Sequence, residues 1–535
     1  MDNQLCQTLG NLRLADDQPD YHARKKNLSR LMKDLTSNEI RLLKQILSQV
    51  TLQTDIISRL PLELVLSISN YLDPRDILTC FAISKTWRAG FKSEQVIFAL
   101  ADRVFPSLVY NEPNAGETRL HSDSVVKALC TWTKIAEGRY GIKAMTKYRG
   151  DAETSFVADT EVYSATELES MSNRAPLHVS GSPDGALDSV KALYGYGKIA
   201  WSTTTDGVVV LDCLRTRSRQ IFAASGMRLA DTGLVPLALG DKLVVAGMYH
   251  YLCGWDIETG THKRVTLPCQ LEDAATIGFK VVVWMTNKEM LIWDFGRSLL
   301  PVALPESLLT TCLDNIQCQV HPNSSTVLLN ALDASTAVQG SLRYTLYEFS
   351  DRKLAQTYCF DLPREDPKGK LLRGQPLDHL GHKFIRADSY GLFTMGGFKY
   401  FVDRSETGSI SRFLIVQFNV YKKRFSLQYF DIPEIGVGTS NFSWHVWNNQ
   451  LFVQPDHFEE NSAGYERALS TIYQFKSETS ATGGGRPGQG REWQELSQKP
   501  RSEYVCVHGD DDFLLLLGDR EYTSWSFASN DLDSA

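Results

Sequence analysis

The chain has 535 residues and a mass of 60.1 kDa, 43% hydrophobic and 22% charged, which excludes a wholly disordered or low-complexity polypeptide. Its 56 Lys and Arg against 63 Asp and Glu leave a formal net charge of −7, arguing against a molecule built mainly to grip nucleic acid or anionic lipid. No apolar run reaches the roughly 18–20 residues of a membrane helix, and the opening MDNQLCQTLG lacks the basic and apolar regions of a secretory signal.

Ten scattered Cys contain no CxxC pair, so packed, reduced thiols are expected rather than a zinc site. A soluble chain in the cytoplasm, the nucleus or both follows. At roughly 150 residues per domain, the length allows three or four units, or one small domain beside one large closed architecture.

Residues 1 to about 150 carry helical spacing. Leu35-Thr36-Ser37-Asn38-Glu39-Ile40 contains a capping box, with Thr36 and Glu39 each satisfying the other's backbone N–H. Ile40, Leu43, Ile46, Leu47 and Val50 follow on one face. An isolated helix this short is marginal in water, so its stripe should dock on the next domain or on a second copy.

Leu60-Pro61-Leu62-Glu63-Leu64 opens the next helix, with Pro61 expected at its first position and Glu63 near the positive end of the dipole. Leu60, Leu64, Ile68, Tyr71 and Leu72 recur at helical spacing. Asp73-Pro74-Arg75-Asp76 ends that helix and caps a second carrying Ile77, Leu78, Cys80 and Phe81. Ser84 caps a third that presents Trp87 and Phe91. Three short helices in about 35 residues enclose too little core for much independent stability, so part of this apolar surface should meet a partner.

The run Leu60-Pro-x-Glu-Leu, Ile68, Tyr71-Leu72, Asp76-Ile-Leu, Cys80, Ser84-Lys85, Trp87-Arg88 resembles the F-box. The resemblance implies docking on the Skp adaptor of a cullin-based ubiquitin ligase. Leu60, Pro61, Leu64, Ile68, Leu72, Leu78 and Trp87 would form or support the adaptor-facing surface. The segment before it, including Leu52-Gln-Thr-Asp55-Ile-Ile-Ser58, is similar to the dimerising segment that precedes the F-box in some WD-repeat members. That likeness implies a homodimer through residues 36–58; the competing reading is a brace for the F-box. Residues 97–100 and 125–132 continue the helical pattern as a connecting stalk.

From about residue 190 short alternating strands replace helices. A triplet recurs near strand ends: Leu211-Asp212-Cys213, Trp255-Asp256-Ile257, Trp293-Asp294-Phe295, Tyr347-Glu348-Phe349, Val416-Gln417-Phe418, Tyr473-Gln474-Phe475 and Trp525-Ser526-Phe527, 38 to 69 residues apart. Each follows an apolar strand. Such a period, with Trp-Asp at a strand end, is the sequence form of a propeller blade. Only two copies keep Trp-Asp, and Gly381-His382 is the sole clear Gly-His, so the region resembles a degenerate WD-repeat propeller, seven-bladed on this count. A six- or eight-bladed ring and a two-sheet sandwich compete. Few residues remain after Phe527, so the outer strand of the last blade should come from residues 175–180 or 155–163, removing an open sheet edge.

Residues 361–376 and the glycine run GGGRPGQG at 483–490 read as polar loops rather than strands. The glycine run lacks the Gly-Lys-Ser/Thr of a phosphate loop. Gly195-Tyr-Gly197 precedes a strand and reads as a turn, not half a dinucleotide fingerprint. HExxH, GxSxG and calcium-loop patterns are absent, and no catalytic residue, cofactor or metal ligand is assigned.

A multidomain chain is thus expected: a helical extension at 1–54, an all-α F-box at 55–95, a helical linker at 96–150 and an all-β WD-repeat-like propeller at 151–535. The function implied is a non-catalytic substrate receptor of a Skp–cullin–F-box ubiquitin ligase. Its partners would be the adaptor, through it the cullin, and one or more protein substrates, phosphorylated or not; neither nucleic acid nor membrane is expected. Alternatives are a non-degradative binding scaffold and a propeller enzyme. Arg343 and Arg386 are the only basic candidates singled out for substrate.

Overall fold

The computed structural model describes residues 25–26, 29–30, 35–49, 57, 60–110, 122–137, 142–147, 160–164, 191–202, 208–224, 234–248, 250–306, 308, 313–322, 326–333, 343–363, 374–376, 391–401, 410–433, 442–447, 450–455, 473–476, 506–518 and 521–527. The helices come first: α1 (Ser37–Gln49), α2 (Leu62–Ser69), α3 (Pro74–Ile83), α4 (Lys85–Phe91), α5 (Glu94–Val104), α6 (Pro106–Tyr110) and α7 (Ser122–Glu137). The capping box forms at α1. Glu39 Oε2 accepts from Thr36 N at 2.8 Å and from Thr36 Oγ1 at 2.6 Å, while Glu39 N donates to Thr36 Oγ1 at 3.4 Å. The bonds from Thr36 hold the Glu39 carboxyl below the usual carboxylate range.

Strands β1 (Ile142–Lys147) and β2 (Thr160–Ser164) follow. The repeating region then forms antiparallel sheets from consecutive strands. The first holds β3 (Lys191–Gly195), β4 (Lys198–Ser202), β5 (Val208–Cys213) and β6 (Ser218–Ala223). The second holds β7 (Val235–Leu239), β8 (Leu243–Met248), β9 (Tyr251–Asp256) and β10 (His262–Thr266). The third is built from β11 (Leu271–Ile277), β12 (Lys280–Met285), β13 (Met290–Asp294) and β14 (Leu299–Pro301). The fourth contains β15 (Leu313–Val320), β16 (Val327–Asp333), β17 (Arg343–Ser350) and β18 (Lys353–Asp361). The fifth contains β19 (Gly374–Pro376), β20 (Leu392–Phe401), β21 (Ile410–Asn419) and β22 (Arg424–Pro433). The sixth has three described strands, β23 (Phe442–Trp447), β24 (Gln450–Pro455) and β25 (Tyr473–Lys476). The remaining sheet is composite: β26 (Cys506–Gly509), β27 (Phe513–Leu517) and β28 (Glu521–Ser526) continue outward into β1 and then β2.

An all-β propeller therefore follows an all-α region. Each recurring triplet falls on, or at the end of, the third strand of its sheet, and the apolar strand before it is the second. Six sheets are made of consecutive strands, and a further one is assembled from chain on both sides of them, as the expected borrowing of an upstream strand requires.

Two expectations change. The strand beside β28 is β1, with Ile142 opposite Ser526 and Lys147 opposite Glu521; β2, overlapping the expected 155–163 segment, lies one strand further out. Residues 175–180 lie outside the described residues. The end of the expected helical linker, 96–150, is thus a sheet strand. Ile-Lys-Ala-Met-Thr-Lys gives only a six-residue alternation directly after a strong helix, so its pairing with a strand some 380 residues away in sequence decides its state. Within the expected polar loop 361–376, Gly374–Pro376 forms β19, the terminal strand of its sheet, paired to 398–400. An edge position tolerates proline, which cannot donate to a ladder on both sides. Gly195-Tyr-Gly197 is the expected hairpin turn, with φ of 55° at Tyr196 and 69° at Gly197, as a tight two-residue hairpin demands. The glycine run at 483–490 lies outside the described residues.

Apolar clusters fill the seams between neighbouring sheets. One joins Val209 and Leu211 to Val244, Ala246 and Trp255; another joins Trp284 and Ile292 to Leu329 and Phe349. The seam between the first sheet and the composite one combines Tyr194, Ile199 and Trp201 with Phe513, Leu515 and Tyr522. Asp212 sits in that seam, fully buried. Its Oδ2 accepts from Trp201 Nε1 at 3.0 Å, from Tyr522 OH at 2.9 Å and from Arg219 Nη2 at 2.9 Å, and its Oδ1 accepts from Arg219 Nε at 2.6 Å. The Arg219 guanidinium also lies over the Trp201 ring, 5.4 Å from its centroid. Arg215 pairs with Asp512 across the same seam, Nε to Oδ2 at 2.8 Å.

Other seams use single polar bridges. Asp241 Oδ1 accepts from Gly278 N at 2.7 Å, and Asp273 Oδ2 from Cys318 N at 2.8 Å. Glu348 accepts from Lys423 Nζ at 2.9 Å and from Tyr358 OH at 2.6 Å. Burial pushes the Glu348 carboxyl up, but the bonds from Tyr358 and Lys423 outweigh it and hold the group below the usual range.

Asp212→Asn leaves the buried Arg219 charge uncompensated and is expected to cost about 3–5 kcal/mol, against about 1–2 kcal/mol for Tyr522→Phe, both read from denaturant midpoints. Because the Glu348 pKa is depressed on folding, its stabilisation is full above the ordinary carboxylate range and is lost as pH falls through the lowered value. Glu348→Gln should therefore flatten the acid limb of stability against pH; an unchanged limb would show that the Lys423 bridge contributes nothing.

Candidate functional site

Local capping shapes the F-box-like region. Pro61 stands one residue ahead of the expected first helical position, at the N-cap of α2, and its carbonyl accepts from Leu64 N at 3.0 Å and Val65 N at 3.2 Å. Asp73 caps α3 by accepting from Asp76 N at 3.0 Å, with Pro74 at the first helical position. Ser84 caps α4 by accepting from Trp87 N at 3.1 Å. Each cap satisfies an N–H that would otherwise lack an intrahelical partner.

The seven residues expected at the adaptor surface separate into two groups. Pro61, Leu64 and Ile68 are exposed along α2, with Leu64 50% and Ile68 37% accessible. Leu60, Leu72, Leu78 and Trp87 are half-buried against the helical core of Ile77, Phe81 and Phe91, and Trp87 stacks on Phe91 at 6.0 Å. The first group presents an apolar surface, and the second supports it. On α2 the buried side chains are Val65 and Ser69, whose hydroxyl donates to Leu66 O at 2.7 Å. Helical spacing alone could not say which side turned inward.

Tyr71 extends the outward surface and is 78% exposed. Helix α2 ends at Ser69, so Tyr71 and Leu72 lie in the turn beyond it rather than on the expected helical stripe. Arg103 of α5 braces that turn: its guanidinium donates to the carbonyls of Asn70 and Leu72, the latter at 2.7 Å. Burial lowers the Arg103 pKa and the neighbouring Asp73 raises it, with burial dominant. Sequence reasoning missed Arg103, because a bond to a carbonyl some 30 residues upstream leaves no local pattern.

The helices are joined to the ring. Val125, Leu129, Trp132 and Ile135 of α7 belong to the same apolar cluster as Ile77 and Phe81, and that cluster runs on into Trp447, Phe452, Leu514, Leu516, Trp525 and Phe527 of the propeller. Lys134 Nζ donates to Phe527 O at 3.4 Å. A second attachment pairs Lys422 Nζ with Asp102 Oδ2 at 2.7 Å and stacks Tyr110 on Tyr421 at 5.6 Å.

On the ring, Arg343 makes a two-pronged pair with Asp361, at 2.6 and 3.2 Å, and that pair holds the Asp361 carboxyl below its usual range. The geometry fits a strand-to-strand brace. Arg386 lies outside the described residues, as do residues 50–56 of the expected dimerising segment.

Residues 57–95 match the F-box-like family model. No curated protein matches the chain. Among solved structures it is similar to BamB from Moraxella catarrhalis, at 10% identity over 64% of this chain and 99% of that one, with a TM-score of 0.34. It is also similar to the computationally designed Ika8 protein (11% identity, 64% and 98% covered, TM-score 0.35). A third likeness is to the WD40 β-propeller domain of Doa1 (11% identity, 65% and 96% covered, TM-score 0.34).

Leu64→Ala removes a half-exposed side chain and should cost less than about 1 kcal/mol, whereas Ile77→Ala empties a fully buried site and should cost about 2–5 kcal/mol. Urea titration of both variants checks the assignment, and equal losses would show that Leu64 is a packing residue. The chain carries an F-box-like domain at residues 57–95 followed by a β-propeller, a pairing that fits a substrate receptor or a binding scaffold.

Proposed function

We propose that this protein is the substrate-recognition subunit of a Skp–cullin–F-box ubiquitin ligase. The observation that carries the reading is the apolar surface of Pro61, Leu64, Ile68 and Tyr71 within a segment that matches the F-box-like family. F-box domains generally bind the Skp adaptor, and apolar side chains grouped along one helix and its two ends suit docking into a partner's apolar groove. Through the adaptor the chain would reach a cullin, while the propeller binds the protein to be ubiquitinated.

In this mechanism the chain makes and breaks no bonds. Its contribution is effective concentration: a target lysine held near the charged ubiquitin carrier reacts as though in an intramolecular step. Two attachments between helices and ring, the Asp102–Lys422 pair and the shared apolar cluster, support a fixed spacing between the two working ends. The same reading places the protein in the cytoplasm, the nucleus or both. It also assigns homodimerisation to residues 36–58, supported by the exposure of Ile40 and Leu42 on α1.

Affinity capture with the full chain and with Leu60→Ala, Pro61→Ala and Leu64→Ala combined tests the assignment. The triple variant should lose adaptor and cullin and keep the propeller's cargo. Retention of the adaptor would overturn the docking surface. Cargo that is bound but neither ubiquitinated nor shortened in lifetime would favour a non-degradative scaffold.

A further inference from the structure

The composite sheet has a place in the helical region as well as in the ring. Helix α7 ends at Glu137 and the next described residue, Ile142, opens β1, the strand that β28 pairs with directly. Four intervening residues leave little freedom between that helix and that strand. On its other side α7 packs against α3, through Leu129 and Trp132 in the cluster with Ile77 and Phe81. The cluster then includes Leu514, Leu516, Trp525 and Phe527 from β27, β28 and the residue beyond. The F-box helices therefore share one apolar core with the strands that close the ring.

The helical part has little to hold it otherwise. Helices α2, α3 and α4 are 8, 10 and 7 residues long, each below the length at which an isolated helix is stable in water. The outward position of Pro61, Leu64 and Ile68 depends on Val65, Ile77 and Phe81 remaining packed inward.

We propose that the adaptor-facing surface of α2–α4 is completed by closure of the ring, so that the composite sheet, with β1 paired to β28 and seated on the first sheet through Tyr522 and Asp212, makes the chain competent for adaptor binding. This inference deepens the reading of the protein as an F-box receptor and rests on it for the identity of the partner. Because 506–527 follow every other described strand in sequence, a chain still being synthesised lacks this support until the propeller is complete. Unfinished or open rings would then be kept from the ligase. The coupling is reciprocal: adaptor binding to α2–α4 should tighten the closed ring by the same factor.

The test uses the full chain in two variants. Tyr522→Phe weakens the closing seam without touching the F-box, since Tyr522 bonds Asp212 on the far side of the composite sheet. Val282→Ala weakens a seam between two sheets of consecutive strands. Amide hydrogen exchange across α2–α5 and adaptor affinity are measured for both. Tyr522→Phe is expected to speed exchange of the F-box amides several-fold and to weaken adaptor binding by a similar factor, with Val282→Ala leaving α2–α5 unchanged.

Unaltered F-box exchange in Tyr522→Phe, or equal effects of the two variants, would overturn the coupling. Exchange is read without the adaptor. A wild-type chain that ignores the adaptor, while Tyr522→Phe shows the selective exchange change, would therefore refute the receptor reading and leave the coupling standing.

Discussion

The antiparallel pairing of β1 with β28 is the constraint on which the rest of the molecule depends. A ring of sheets open at one seam would present a row of unpaired N–H and C=O groups and an apolar face to water. Here the outer strands of the last sheet come from chain that precedes the first repeat. Closure therefore fastens the whole strand-bearing region with one run of backbone hydrogen bonds. Asp212 adds a second fastening, because its partners come from both sheets that meet there. A buried carboxylate is costly unless its lone pairs are occupied, and four donor contacts occupy these.

The helices use this fastening. Their apolar cluster continues into the seam beside the composite sheet, so a domain too small to enclose a sizeable core borrows part of one. That arrangement allows a face of α2 to remain apolar and outward. Leu64 and Ile68 can stay uncovered because stability is supplied behind them, by Val65, Ile77, Phe81 and the α7 contacts. Arg103 contributes at the end of α2, where two carbonyls without helical partners receive its guanidinium.

Much of this was legible in the residues. Capping boxes and N-caps act within three or four positions, so Thr36, Asp73 and Ser84 could be assigned from the chain alone and take their expected places. The recurring triplet was legible for a related reason. A second strand and the third strand that pairs with it are near neighbours in sequence, and each repeat writes the same alternation again. The strands that departed from expectation, β1 and β19, are short, and their state is decided by a partner. For β1 that partner lies at the other end of the repeat.

The sequence by itself determined the caps, the repeat, the F-box-like segment and the type of every element but the short strands β1 and β19, because each rests on interactions among residues close along the chain. Only the tertiary structure decided which of the F-box apolar residues face outward, which strand closes the ring, and that helices and ring share a core. Those outcomes depend on contacts between residues far apart in sequence, tens of positions among the helices and hundreds where Ile142 meets Ser526, whose side chains carry no mark of the partner they will meet.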